Sequence, residues 1–318
     1  MSRSTVSVCI VTWNQRGFIA QCIRSVLEQQ ADADLTILVG DDASDDGTSE
    51  IIAALAAENP DRIRHFLRDP RMGAFANMRD LIARADGDFV ARVDGDDYWL
   101  PNKLQRQLDY LHAHPDCAAV YTNAITVDEK DNRIGLFNDV GDARFELAAM
   151  LRRGNFLNNS SVLFRNTGRH AWLDVAVPQI DYRVHLWHAQ RGWLGHIGEP
   201  LAAYRVATQG SMVASMNERV RELYWQAIQS VPRDRVSDDD YAHGIADFLR
   251  RVFFRALRTR CWKLLGDWHA RVLAASPYSG LHTDVLALTS ILRMAGKAAA
   301  GRFKRDATGW RPRVLYRR

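Results

Sequence analysis

Short β-branched runs alternate with stretches of helical apolar spacing through the first third of the chain, and this restricts the fold more tightly than composition does. Residues 6–12, Val-Ser-Val-Cys-Ile-Val-Thr, read as a buried strand ending in the polar Trp13-Asn14-Gln15. Between residues 18 and 30, Phe18, Ile19, Cys22, Ile23, Val26 and Leu27 recur at helical spacing, which predicts a helix with one buried stripe. A second strand, 35–39, runs into Gly40-Asp-Asp-Ala-Ser-Asp-Asp-Gly-Thr48. There Ser44, Asp45 or Asp46 can cap a helix that turns Ile51, Ile52 and Leu55 inward. Residues 63–67 and 89–93 follow as strands on either side of a helix over 74–85. Elements alternating at this length form parallel βαβ units with helices on both faces, and such sheets take ligands outside the carboxyl ends of their strands. Trp13, Asp41, Asp42 and the acids after residue 93 all fall at those ends.

The strand at 89–93 delivers Asp94-Gly-Asp-Asp97. Three carboxylates in four positions repel one another, so a fold that keeps Asp94, Asp96 and Asp97 together needs a cation to neutralise them. Gly95 permits close backbone approach while the acids on either side of it reach one ligand. A hard divalent ion, Mg²⁺ or Mn²⁺, suits such oxygen donors and bridges phosphates. Further on, Pro101 suits the first turn of a helix bearing Leu104, Leu108 and Leu111, and 117–127 reads as a strand. Residues 128–142 are turn-rich, the polar 158–161 leads into a strand ending at Arg165, 180–190 is helical, and 193–197 and 201–205 make two short strands. Beyond 215 the pattern is helical and Arg-rich.

The chain's 318 residues suffice for a substantial core. Cys9, Cys22, Cys117 and Cys261 have neither metal-site nor disulfide-framework spacing, which fits a reducing compartment. No window approaches the roughly 18 apolar residues of a membrane span and no signal-peptide pattern opens the chain, so a cytoplasmic protein is expected. Charge is unevenly spread: residues 1–214 hold 22 Lys+Arg against 28 Asp+Glu, whereas 215–318 hold 20 against 10. The expected division is therefore an α/β domain over 1–214 and a basic, mainly helical region over 215–318.

Read in order, Val8-Cys-Ile-Val-Thr-Trp-Asn14, Val39-Gly-Asp-Asp-Ala-Ser-Asp-Asp-Gly-Thr48, Asp94-Gly-Asp-Asp-Tyr-Trp99 and Lys103-Leu-Gln-Arg-Gln107 resemble the family 2 inverting glycosyltransferases of the GT-A fold. The segment from Ile180-Asp181 through Gly192 to Pro200-Leu-Ala-Ala-Tyr-Arg205 is similar to the acceptor-side half of that family. The resemblance covers residues 5–213 and leaves out the tail. It implies a mostly parallel central sheet flanked by helices, a nucleotide-sugar donor, a divalent metal, and transfer to a hydroxyl of a saccharide or lipid-linked saccharide in surface polysaccharide or lipopolysaccharide assembly.

Residue by residue, the resemblance makes Trp13 and Asp42 a uridine-binding pair, the ring stacking on the base and the carboxylate accepting its N–H, with Thr12 and Asn14 nearby. One of Asp41 and Asp42 is functional and the other shapes the loop. Asp96 becomes the metal ligand, Asp94 a ribose or metal contact, and Asp97 is left open. Arg71 and Gly73 approach the donor, and Arg205 offers a forked donor to phosphate. Asp181 is the base that takes the acceptor's proton, with a helix N-cap as its structural alternative. Asn158, Asn159 and Ser160 either face the acceptor or form a polar loop. Many relatives carry a His where this chain has Ala207, and Gln209 or Ser211 would take its place.

Two other classes stay open on the sequence: a metal-dependent nucleotidyltransferase, which would release pyrophosphate, and a non-catalytic scaffold of the same fold. The tail helices either pack on the catalytic domain or meet an anionic bilayer on the inner face of the membrane. No nucleic-acid motif accompanies their charge, so no nucleic-acid partner is expected.

Overall fold

The computed structural model describes residues 3–167, 178–206, 218–301 and 313–316. Ala207, Gln209, Ser211 and the boundary expected after residue 214 lie outside them. Strand β1 (Ser4–Thr12) lies between β2 (Ala33–Asp41) and β4 (Phe89–Asp94), parallel to both, and β3 (Ile63–Leu67) extends the far edge of β2. Val6 through Ile10 are buried on both faces, which explains the unbroken β-branched run where a one-sided sheet would alternate. The connecting helices are α1 (Ile19–Leu27), α2 (Thr48–Glu58) and α3 (Ala74–Arg84). As the spacing requires, α1 buries Ile19, Cys22, Ile23 and Val26. Asp46 caps α2 from just outside it, accepting from the Thr48 N–H at 3.0 Å.

The second half of the sheet is built on β6 (Cys117–Val127), which follows α4 (Lys103–Ala113). One edge of β6 takes β10 (Trp193–Arg205) in parallel along its length. The other takes β9 (Leu163–Arg165) and then β7 (Arg133–Asn138), both antiparallel. Strand β9 also pairs with β4, so it joins the two halves into one sheet. The short β5 (Tyr98–Trp99) and β8 (Ala143–Phe145) pair with β10.

Three elements differ from expectation. The turn-rich 128–142 contains β7, after a tight turn in which the Asp128 carboxylate accepts from the backbone N–H of Lys130 and Asn132, both at 2.9 Å. The two strands expected at 193–197 and 201–205 are one, because the intervening residues are absorbed as register shifts against β6. The tail is not wholly helical: β11 (Arg313–Tyr316) returns to pair in parallel with β7.

Helices α5 (Leu147–Arg153) and α6 (Asp181–Ala189) pack on one another and against β6, β8 and β10. The tail adds α7 (Glu218–Gln229), α8 (Asp238–Thr259), α9 (Trp262–Ala275) and α10 (Gly280–Gly301). A capping box of Ser237 and Asp240 starts α8. Ile245, Phe248 and Leu249 of α8 share a core with Met150, Leu151 and Tyr182, each such side chain contributing roughly 1.5–3 kcal/mol relative to exposure. Cys9, Cys22 and Cys117 are buried and Cys261 is exposed, all as free thiols. Among the described residues no helix is long and apolar enough to cross a membrane.

Candidate active site

The acids after β4 fold into a tight turn in which the Asp97 N–H donates to the Asp94 carbonyl at 2.9 Å. Gly95 lies flat against β1: its N–H donates to the Val11 carbonyl at 2.9 Å, and a Cβ there would stand 2.5 Å from Gln15 Oε1 and 2.8 Å from Thr12 Cβ. The three carboxylates then part company. Asp97 points inward, accepting from the Ser160 hydroxyl and, at 2.8 Å, from the Arg205 N–H. Burial drives its pKa well up, with Asp96 and Asp94 adding to the rise. Asp94 and Asp96 keep partial solvent access. Burial pushes the Asp94 pKa up to about 7; Arg92 opposes the rise and the Asp181 and Asp96 charges add to it.

Arg205 differs from its expected role as a phosphate clamp. Its side chain is 1% exposed. The guanidinium donates to the Asp96 carbonyl at 2.9 Å, the Asp128 carbonyl at 2.7 Å, Gln21 Oε1 at 2.9 Å and Asp131 Oδ1 at 2.7 Å. Arg205 therefore buttresses the acidic turn from behind. Ser160 does the same from the 3₁₀ turn at Asn159–Ser161, accepting from the Asp94 N–H at 3.2 Å while its carbonyl accepts from the Trp99 indole at 3.0 Å. Asn158 holds that turn closed by accepting from the Ser160 N–H at 2.9 Å.

Asp181 opens α6 without making a side-chain cap. Its carboxylate instead accepts from Asn159 Nδ2 at 2.9 Å and faces the Arg92 guanidinium at 3.8 Å. Two-fifths of the side chain reaches solvent. The walls around it raise its pKa by desolvation, and Arg92 works against that rise. Arg92 was not singled out from the sequence, although an arginine within a buried parallel strand is itself a signal. Its side chain is 9% exposed, and it is the cation nearest in effect to both Asp94 and Asp181. Beneath it the Tyr121 hydroxyl meets His185 Nδ1 at 2.8 Å, and burial lowers the His185 pKa to about 3, keeping that ring neutral.

On the β1–β2 side, Trp13 is 39% exposed and the Arg71 guanidinium lies 3.5 Å from its ring centroid. Arg71 Nε also donates to Asp42 at 3.1 Å, and the Asp42 carboxylate accepts from the backbone N–H of Met72 at 2.8 Å and Gly73 at 3.0 Å. Gly73 has φ +87°, a left-handed value that glycine adopts without strain. Trp13, Asp42 and Gly73 thus meet at one corner. Asp41 is the loop-forming member of its pair, fully buried and accepting from the Ser44 N–H at 3.0 Å and from the Ser49 hydroxyl. Asn14 ties the two loops together, donating to Asp45 at 2.8 Å and accepting from the Asp45 N–H at 3.0 Å. Thr12 is buried and its hydroxyl donates to Gln15 at 2.8 Å, so it supports the turn from below.

Among the described residues no three His, Cys, Asp or Glu side chains form a complete metal cage. The donor set still fits Mg²⁺ or Mn²⁺. Two partly exposed carboxylates, one with its pKa raised to about 7 by burial and by its acidic neighbours, match a hard ion that takes its remaining ligands from phosphate and water.

The open mixed sheet, flanked by helices and carrying acids at the ends of its parallel strands, has the GT-A fold of the glycosyltransferases it superposes on. The model of glycosyl transferase family 2 matches residues 7–169, just over half of the chain, and the protein belongs to that family. An uncharacterised protein of Mycobacterium tuberculosis is 29% identical over 223 residues, covering 70% of this chain and 64% of its own length. The chain thus spans under two thirds of that relative. Among solved structures, S. aureus TarS in complex with UDP-GlcNAc superposes with a TM-score of 0.64 at 16% identity over 95% of this chain and 93% of that one. The mannosyltransferase PcManGT of Pyrobaculum calidifontis, in complex with GDP-Man and Mn²⁺, gives 0.56 at 17% identity over 96% and 82%.

Proposed function

We propose that the protein transfers a sugar, with inversion, from a nucleotide donor to a hydroxyl of a saccharide or lipid-linked saccharide. The observation that carries this reading is Asp181, held by Asn159 and Arg92 beside the two partly exposed acids of the β4 turn. Trp13 stacks on the base once Arg71 yields its place, and Asp42 reads the base edge as its hold on 71–73 loosens. Asp96 and Asp94 would hold a divalent ion, which would supply Lewis-acid help to the departing diphosphate. Asp181 takes the proton of the attacking hydroxyl, kept ionised by Arg92 and aimed by Asn159. Solved structures of the fold are in complex with UDP-GlcNAc and with GDP-Man; the Trp13–Asp42 corner is what favours uracil as the base, and hence a UDP-sugar as the donor. The acceptor belongs to surface polysaccharide or lipopolysaccharide assembly, reached by peripheral contact on the inner face of the membrane.

The test pairs a donor-hydrolysis screen across nucleotide sugars, with Mn²⁺ or Mg²⁺, with the Asp181→Asn variant. Turnover is expected to vanish in the variant while calorimetric binding of UDP-sugar and metal persists. Wild-type turnover by the variant would remove Asp181 from the mechanism, and pyrophosphate release would indicate nucleotidyl transfer.

A further inference from the structure

Several cations of the tail are paired with acids inside it, and Arg152, from before the tail, is paired to it. Arg152 of α5 pairs with Asp239 and Asp240, Arg250 and Arg251 with Asp247, Arg233 with Asp238, and Arg271 with Glu222. The corner between α8 and α9 is different. Arg258, Arg260 and Lys263 are exposed there, as is Arg293 on α10, and among the described residues none of the four has a carboxylate within ion-pair distance. The same surface carries apolar side chains at least half exposed: Leu257 and Trp262 at the corner, and Leu281, Val285, Leu288 and Leu292 along one stripe of α10. Trp262 and Leu288 line a common groove with Phe253 and Ile291, so corner and stripe are continuous.

We infer that this face is a membrane-docking surface whose partner is an anionic lipid bilayer. An apolar stripe with a tryptophan and unpaired cations at its margin is the chemistry that sits in the headgroup region, the carbon side chains entering the acyl boundary and the cations meeting lipid phosphates. A second copy of the chain would cover the stripe less well. A two-fold contact is self-complementary, so it would bring Arg258, Arg260, Lys263 and Arg293 toward their own like charges. The nearby acids are few: Asp284 is engaged by His269 at 2.7 Å, which leaves Asp267 on α9. The role given to this surface, presenting the catalytic crevice to a lipid-linked acceptor, rests on the proposed function; the surface itself does not.

The test is flotation of the full chain with vesicles of phosphatidylcholine mixed with phosphatidylglycerol, against phosphatidylcholine alone. Wild type should float with the anionic vesicles only and be released by salt. Each surface cation contributes about 1 kcal/mol, or about fivefold, so Arg258→Gln with Lys263→Gln should weaken partitioning about 25-fold. Leu288→Asp with Leu292→Asp should abolish it while circular dichroism and nucleotide binding stay unchanged. Absence of flotation at low salt, or flotation unaffected by both double variants, overturns the inference. So does a wild-type dimer that the leucine variant turns to monomer without altering flotation, since the occupant would then be a second copy. Flotation by a protein that turns over no sugar nucleotide would sink the catalytic reading and leave the surface standing.

Discussion

Replacing Arg205 by methionine separates two accounts of the same residue. In the structure its guanidinium serves two backbone carbonyls, one amide oxygen and one carboxylate, from a side chain that is 1% exposed. Methionine matches the volume well enough to leave little cavity, so the loss lies in the hydrogen bonds. Bonds from a charged donor contribute about 1.5–3 kcal/mol each, though never additively. The Asp131 carboxylate is half exposed, and its share is at most about 1 kcal/mol. Stranding the Asp96 and Asp128 carbonyls brings the expected destabilisation to about 3–5 kcal/mol, read from the shift of a urea unfolding midpoint at unchanged slope. Because the Asp96 carbonyl rests on the Arg205 guanidinium, metal-linked nucleotide binding should fall as well, although the backbone N–H that holds Asp97 is kept. A variant within about 1 kcal/mol of wild type that still loses nucleotide binding would refute the buttress and put the guanidinium on a phosphate.

Arg92→Met removes the cation that holds down the Asp181 pKa. With that pKa higher, the base ionises only at higher pH, so the acid limb of kcat/KM should move upward, and an unmoved limb would count against Arg92 as a positioning residue. His185 is kept neutral, its folded pKa lying at about 3 and so below its unfolded value. The unfolded chain therefore binds the extra proton, and stability should fall by about 1.4 kcal/mol per pH unit as pH drops from about 6.5 toward 3. His185→Gln should flatten that part of the profile, and a profile as steep as wild type would assign the loss to other groups. Gly95→Ala forces a methyl against Gln15 and Thr12, and the expected cost of about 1–3 kcal/mol should appear in thermal unfolding together with weakened Mn²⁺ binding; wild-type behaviour in both would mean the turn has room to shift.

The parallel half of the sheet was legible because it is local: each strand is a continuous apolar run, each helix a periodic stripe, and β6 matches its expected span of 117–127 residue for residue. That Trp13 and Asp42 meet at one corner, and that a turn follows β4, was legible for the same reason, since neighbouring parallel strands bring their carboxyl ends together. What escaped depends on distance. Strand β11 has no stronger pattern than the basic tail around it and becomes a strand only by finding β7 nearly two hundred residues earlier. Asp97 and Arg205 could not be given roles from spacing, because what decides them is Ser160 on one side and Gln21, Asp128 and Asp131 on the other. Arg92 was in plain view, but its effect on Asp181 requires α6 to be folded against β4.

The stretch matched by the family model ends at residue 169, yet the turn that carries Asp94 and Asp96 is pinned by a residue at 205. A chain emerging from the ribosome would thus have the corner of Trp13 and Asp42 made well before its acids are held, and the two would come into register only when β10 docks. Grafting the matched stretch alone into another protein would carry the acids without the arginine that keeps them in place.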